Sequence, residues 1–212
     1  MNSPKCIIFD CDGVLVDSEP IAISTLVNMA NELGIDMDYD YGVRHFQGNS
    51  MSGVIKIIQS HLSKPVPSDF EQAYRKTSFL RFTDELKPVE GIPALLQQLN
   101  IPHCVASSGP VKKIRHNLNI IGELHRFEGR IYSCYDLKKW KPDPAIYLHA
   151  ASEMGFSPKD CLVVEDSLMG VQAGVASGSQ VYAYATHAHN KEELAAAGAT
   201  LFYDMKELLE VV

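Results

Sequence analysis

Six short apolar runs rich in branched side chains punctuate the chain, at 6–9, 102–106, 130–133, 161–164, 180–184 and 200–202, each bounded by polar or glycine-containing turns. Unbroken apolar runs of this length suit strands covered on both faces, as in a parallel sheet. From the second run onward, a segment with helical periodicity separates each run from the next, which is the alternation of a sheet wrapped by crossover helices. The pattern predicts an α/β fold built on a doubly wound parallel sheet. Ligands of such sheets bind beyond the carboxyl ends of the strands, so the residues just after each run are where chemistry is sought.

Between the first two runs the alternation breaks. Ile21, Leu26, Val27, Ala30 and Leu33, then Val54, Ile57, Ile58 and Leu62, recur at three- and four-residue steps, with Gly34, Gly48, Pro65 and Pro67 as punctuation. A crossover between parallel strands needs only about a dozen residues. Residues 18–85 therefore read as an inserted helical domain, and 1–17 with 86–212 as the α/β core. The insertion is expected to cap the strand ends, hinged near 16–18 and 85–88.

Composition narrows the class further. At 212 residues, 46% apolar and 21% charged, the chain has the balance of an ordered globular protein, one domain carrying an insertion. The formal charge of −7 repels phosphate backbones and anionic lipid, so neither nucleic acid nor membrane is expected as a partner. Five cysteines without regular spacing, with Cys6, Cys104 and Cys161 in or beside apolar runs, point to reduced thiols and a cytoplasmic protein. The opening residues lack the pattern of a signal peptide, and the longest uncharged stretch, between Asp166 and Lys191, carries too many glycines, serines and glutamines to span a bilayer. A monomer or weak homodimer is expected.

At the run ends the polar residues form a set. Asp10 and Asp12 follow the first, and two carboxylates so close at a buried strand end call for a cation or proton between them, unless they simply form a solvated turn. Ser107, Ser108 and Gly109 follow the second, ahead of a helix expected to begin at Pro110, where a hydroxyl and free amides suit an anion and equally suit a plain helix cap. Lys141 follows the third between Trp140 and Pro142, as an anion partner or a surface charge. Glu165 and Asp166 follow the fourth, and together with Asp10 they offer the hard oxygens that Mg²⁺ prefers. His187 and His189, after the fifth run, line the site or are polar surface.

Acids, hydroxyl, lysine and acids in that order, with the opening Asp10-Cys11-Asp12-Gly13-Val14-Leu15-Val16-Asp17-Ser18-Glu19, resemble the haloacid dehalogenase superfamily over nearly the whole chain, in the form with a helical cap after the first strand. The resemblance implies a phosphatase with Asp10 as nucleophile and Asp12 as proton donor and acceptor. It implies that Ser107 and Lys141 hold the phosphoryl oxygens, and that Cys11, Gly13, Ser108 and Gly109 line the cradle. Mg²⁺ would sit on Asp10, Asp12, Glu165 and Asp166. An acid at position 12 favours phosphate esters over carbon–halogen bonds. Among the branches, the mutases carry a cap histidine and arginine where this sequence has Ala22 and Met51, and a phosphonate hydrolase would need a lysine where none occurs between Lys5 and Lys56. Ser108-Gly109-Pro110, Trp140–Pro144 and His189-Asn190-Lys191 look similar to bacterial 6-phosphogluconate phosphatase-like proteins. The implied partner is a small phosphorylated metabolite, a sugar or sugar acid. Its selection falls to Glu19, Gln47, Gly48 and Asn49, with Arg75 and Lys76 either contributing or forming a solvated face. The alternatives are a β-phosphoglucomutase-like enzyme and, more remotely, a phospho-accepting receiver or a ligand-binding module.

Overall fold

The computed structural model describes residues 3–186, 188 and 190–212. His187 and His189 lie outside the described residues. The chain folds as two compact units, Met1–Asp17 with Lys87–Val212, and Ser18–Leu86.

The first unit is built on six parallel strands: β1 (Cys6–Phe9), β2 (His103–Ser107), β3 (Ile131–Ser133), β4 (Cys161–Glu165), β5 (Gln180–Tyr184) and β6 (Thr200–Phe202), in the order β3-β2-β1-β4-β5-β6. This is the doubly wound sheet expected from the apolar runs. All residues of β1, β2 and β4 are buried, which is why their sequences read as continuous apolar runs rather than alternating ones. The chain leaves β1 toward β2 and β3 on one side and reaches β4 only afterwards on the other, so the strand order reverses at β1. A crevice opens beyond the carboxyl ends at such a reversal. Register sets what meets there: Phe9 pairs with Val105 on one side and Val164 on the other, and the Asp10 amide donates to Val164 O at 2.9 Å.

One glycine governs how closely the helix after β4 approaches the sheet. In Leu168–Ser177, a Cβ on Gly174 would lie 2.8 Å from Val181 Cγ2, so only a residue without one lets the helix pack down on the sheet. All five cysteines are buried and free. Among the described residues, no helix is long and apolar enough to cross a membrane.

The second unit holds four helices, Glu19–Glu32, Tyr39–Phe46, Met51–Ser60 and Phe70–Glu85, around a cluster including Leu26, Val27, Ala30, Phe46, Val54, Ile58 and Phe70. The side chains of Asp38 and Ser50 cap the middle two by accepting from Tyr41 N and Gly53 N. Arg81 ties the outer two, donating to Ser24 Oγ and Thr25 Oγ1, each at 2.9 Å, while Glu85 holds its guanidinium from the other side.

Candidate active site

Beyond Phe9 the chain turns sharply. Leu15 N and Val16 N both donate to Cys11 O, at 2.9 and 3.0 Å, and Gly13 N donates to Val16 O at 2.8 Å. The loop thus closes on itself, with Asp10 still registered to β4. Gly13 has φ +81°, and a Cβ there would overlap the Asp166 carboxylate. Its place in the site is to let Asp166 approach the acid loop. Its amide donates to Val16 O, so Gly13 offers an anion no free N–H of its own.

Asp10 is 7% exposed and Lys141 6%. Lys141 Nζ donates to Asp10 Oδ1 and to Glu165 Oε1, both at 2.6 Å, and to Ala106 O at 3.3 Å. An ammonium has three protons, and here each has an acceptor. The lysine that sequence reasoning could have left on the surface is therefore an internal ion-pair centre joining β1, β2 and β4. Burial pushes the Asp10 carboxyl up, and the Glu165 charge adds to that push, so that even with Lys141 beside it the group is raised to about 7. Burial would lower Lys141, but its two carboxylate partners outweigh that and hold it well above the usual lysine range.

Glu165 corrects an expectation. Read as a metal ligand, it is instead completely buried and saturated: Oε1 accepts from Lys141 and from the Tyr147 hydroxyl, and Oε2 accepts from Asp166 N, Ser167 N and Ser167 Oγ. Five donors occupy the roughly four lone-pair directions of a carboxylate, leaving none for a cation. Burial pushes Glu165 up, yet the Lys141 charge and the bonds from Lys141, Tyr147 and Ser167 together hold it below the usual carboxylate range. Gly170 makes room for this group, since a Cβ there would overlap the Glu165 carboxylate.

Ser107, the last residue of β2, is 1% exposed, and its Oγ accepts from Gly109 N at 3.0 Å. Ser133 Oγ donates to Gly109 O at 2.7 Å, fastening this loop to the end of β3. Ser108 Oγ lies 3.9 Å from Cys134 Sγ. The helix after the loop is Val111–Ile120, with Pro110 at its N-cap rather than inside its first turn. From that helix Lys113 reaches back, its Nζ 2.8 Å from Asp12 Oδ2. A Cβ on Gly109 would lie 3.5 Å from Ser107 Oγ, 3.6 Å from Lys113 Cδ and 3.9 Å from Asp12 Oδ2, so the hydroxyl, the lysine stem and the second acid meet around this one glycine. Cys11 is buried between the two acids, and burial pushes its thiol well above the usual range.

The structure thus brings Asp10, Asp12, Ser107, Ser108, Gly109, Lys141, Glu165 and Asp166 to one end of one sheet. Glu19, Gln47, Gly48 and Asn49 belong to the helical unit, where the Gln47 side-chain amide donates to the Glu19 carboxylate and Asn49 Nδ2 to His45 O at 3.4 Å. Sequence reasoning missed Lys113, Ser133 and Tyr147. A lysine beside a second lysine, a serine ending a short strand and an aromatic in a largely apolar helix carry no pattern that sets them apart.

For a metal the donors are all oxygens. Asp10, Asp12, Glu165 and Asp166 outnumber Lys141 and Lys113, a surplus of negative charge that suits a divalent cation. Among the described residues no three His, Cys, Asp or Glu side chains stand ready as a ligand set. Mg²⁺ is commonly held by one or two carboxylates with water and substrate oxygens completing its shell, so Asp10 and Asp166 fit it.

The model of the haloacid dehalogenase-like hydrolases matches residues 4–178. The chain is 36% identical over 192 residues to a 6-phosphogluconate phosphatase of Escherichia coli, covering 90% of this chain and 87% of that protein. It is 28% identical to hexitol phosphatase A of the same organism, over 84% and 82% of the two chains. A solved structure of a haloacid dehalogenase-like protein of unknown function from Agrobacterium tumefaciens superposes with a TM-score of 0.90 at 31% identity, over 98% and 96% of the chains.

Proposed function

The chain belongs to the haloacid dehalogenase-like hydrolase family, and from that premise we infer that it is a phosphatase hydrolysing small phosphorylated sugars or sugar acids, of which 6-phosphogluconate is the leading candidate. The observation that carries the reading is the buried Asp10 carboxylate at the reversal point of the sheet, held at 2.6 Å by the Lys141 ammonium, with Asp12 two residues away in the same closed loop.

In this reading an Asp10 oxygen attacks phosphorus while the bond from phosphorus to the sugar oxygen breaks, and that oxygen takes a proton from Asp12. The product is an aspartyl-phosphate. Asp12 then takes a proton from water as the water oxygen attacks phosphorus, the bond to Asp10 breaks, and orthophosphate leaves. Ser107 and Lys141 hold the transferring oxygens and meet the charge that develops on them, Lys141 by turning to the phosphoryl group the proton it gives Ala106 O at 3.3 Å, its longest bond. Lys141 does so from a fixed place, because Glu165 anchors it from behind. Lys113 fixes the direction of Asp12.

Asp10 and Asp166, with the main-chain oxygen of Asp12, are the groups we assign to Mg²⁺. When bound, the ion neutralises the repulsion between an anionic nucleophile and a phosphate dianion. Glu19, Gln47, Gly48 and Asn49 are assigned to recognition of the sugar.

The test is phosphate release from a panel of phosphorylated sugars and sugar acids, with Mg²⁺ and with chelator. Metal-dependent release from a narrow set is expected. Isomerisation of a sugar phosphate in place of release would turn the reading toward a mutase.

A further inference from the structure

Tyr147 stands six residues after Lys141, in the helix Ala145–Glu153, and is completely buried. Its hydroxyl donates to Glu165 Oε1 at 2.6 Å, the same oxygen that accepts from Lys141. Its ring meets the lysine as well, the ammonium lying 4.9 Å from the ring centroid. One side chain thus touches both members of the pair behind the nucleophile, by a hydrogen bond to the acid and a cation–π contact to the base.

A lysine stem has four torsions and does not by itself fix where its ammonium stands. The acceptors at Asp10, Glu165 and Ala106 do so, but only while Glu165 keeps its orientation. Tyr147 and Lys141 share Oε1, while the backbone and hydroxyl donors at Asp166 and Ser167 grip Oε2. A phenylalanine would fill the same space. What the phenol adds is a donor at a buried carboxylate oxygen, where an unmet charge is costly.

We propose that Tyr147 is a positioning residue for the reaction: it holds Glu165 in the orientation that draws Lys141 onto Asp10, and its ring lies under the ammonium. This rests on the reading that Lys141 grips the transferring phosphoryl group. Small displacements of such a group are expensive in rate, because its stabilisation depends on a preset place.

The experiment compares the parent with Tyr147→Phe and Glu165→Gln. It measures three quantities: the thermal midpoint, the dissociation constant of inorganic phosphate by calorimetry with Mg²⁺, and kcat/KM for the best sugar phosphate. Tyr147→Phe is expected to keep the fold with a lowered midpoint, to weaken phosphate binding about fivefold to tenfold and to lower kcat/KM at least as much. Glu165→Gln, which keeps shape but withdraws the charge, is expected to do the same more strongly. Parent-like phosphate binding and kcat/KM in a folded Tyr147→Phe chain would overturn the proposal, as would a midpoint loss with both constants intact, which marks a merely structural residue. Failure of the phosphatase reading looks different: the parent would release no phosphate from any substrate, while calorimetry would still report whether Tyr147 governs the anion site.

Discussion

Lys113 Nζ lies 2.8 Å from Asp12 Oδ2, so the second acid of the opening pair has a cation of its own, delivered by the helix that follows β2. Asp10 has another in Lys141. Two carboxylates two residues apart are thereby separated electrostatically as well as in space, one buried and one about a third exposed.

A leaving-group dependence follows. If Asp12 protonates the departing oxygen and Lys113 sets its direction, Lys113→Met lowers kcat/KM for a sugar phosphate by about twofold to fivefold. It leaves p-nitrophenyl phosphate nearly untouched, because that leaving group departs without a proton. Asp12→Asn shows the same contrast on a larger scale, about 10²-fold to 10⁴-fold on the sugar phosphate. Equal losses on both substrates for Lys113→Met would assign the lysine to general stability.

Gly170 and Gly174 separate site from scaffold. Both lie in the helix Leu168–Ser177, and neither can take a methyl group without displacing a neighbour. In Gly170→Ala the methyl group overlaps the Glu165 carboxylate, whereas in Gly174→Ala it meets Val181 and Val163. Each substitution is expected to cost roughly 1–3 kcal/mol of stability. Only Gly170→Ala should also lower kcat/KM per folded molecule, since it disturbs the anchor of Lys141. Thermal midpoints and kcat/KM measured side by side check this.

How far the sequence foretold these relations depended on what kind of signal each residue sends. Strand positions were legible because fully buried parallel strands leave unbroken apolar runs, and Asp10, Ser107 and Lys141 stood out because each follows such a run in chain order. The helical insertion was legible from the sheer length between the first two strands. Glu165 was not, because two adjacent acids at a strand end look alike in sequence. Only the fold shows one turned under Gly170 into five donors and the other laid against Gly13. Tyr147 was hidden for the opposite reason: a buried aromatic on a helix is what any core supplies, and its partner lies 18 residues away on another element.

His103 makes stability depend on pH. It begins β2, where its ring packs edge-on against Phe127 at 5.4 Å and Phe9 at 6.4 Å; Nδ1 pairs with Ile101 O, and Nε2 has no hydrogen-bond partner among the described residues. Burial holds its pKa below the ordinary histidine value, with the Arg130 and Arg126 charges adding to the effect and the Ile101 bond opposing it. The unfolded chain therefore takes up a proton first, near pH ~6.5, so the stability from keeping the ring neutral is present above that pH and declines as pH falls below it. Urea unfolding at pH 7.5 and 5.5 should show a larger loss on acidification for the parent than for His103→Phe. Equal losses would remove His103 from the account.

The central claim is that Asp10 forms the bond to phosphorus. It is tested most directly by phosphate release from 6-phosphogluconate and related sugar phosphates in the presence of Mg²⁺, parent against Asp10→Asn, with both shown to be folded by circular dichroism. The account predicts metal-dependent release by the parent and none above background by the variant. A folded Asp10→Asn chain that releases phosphate at the parent rate would contradict it.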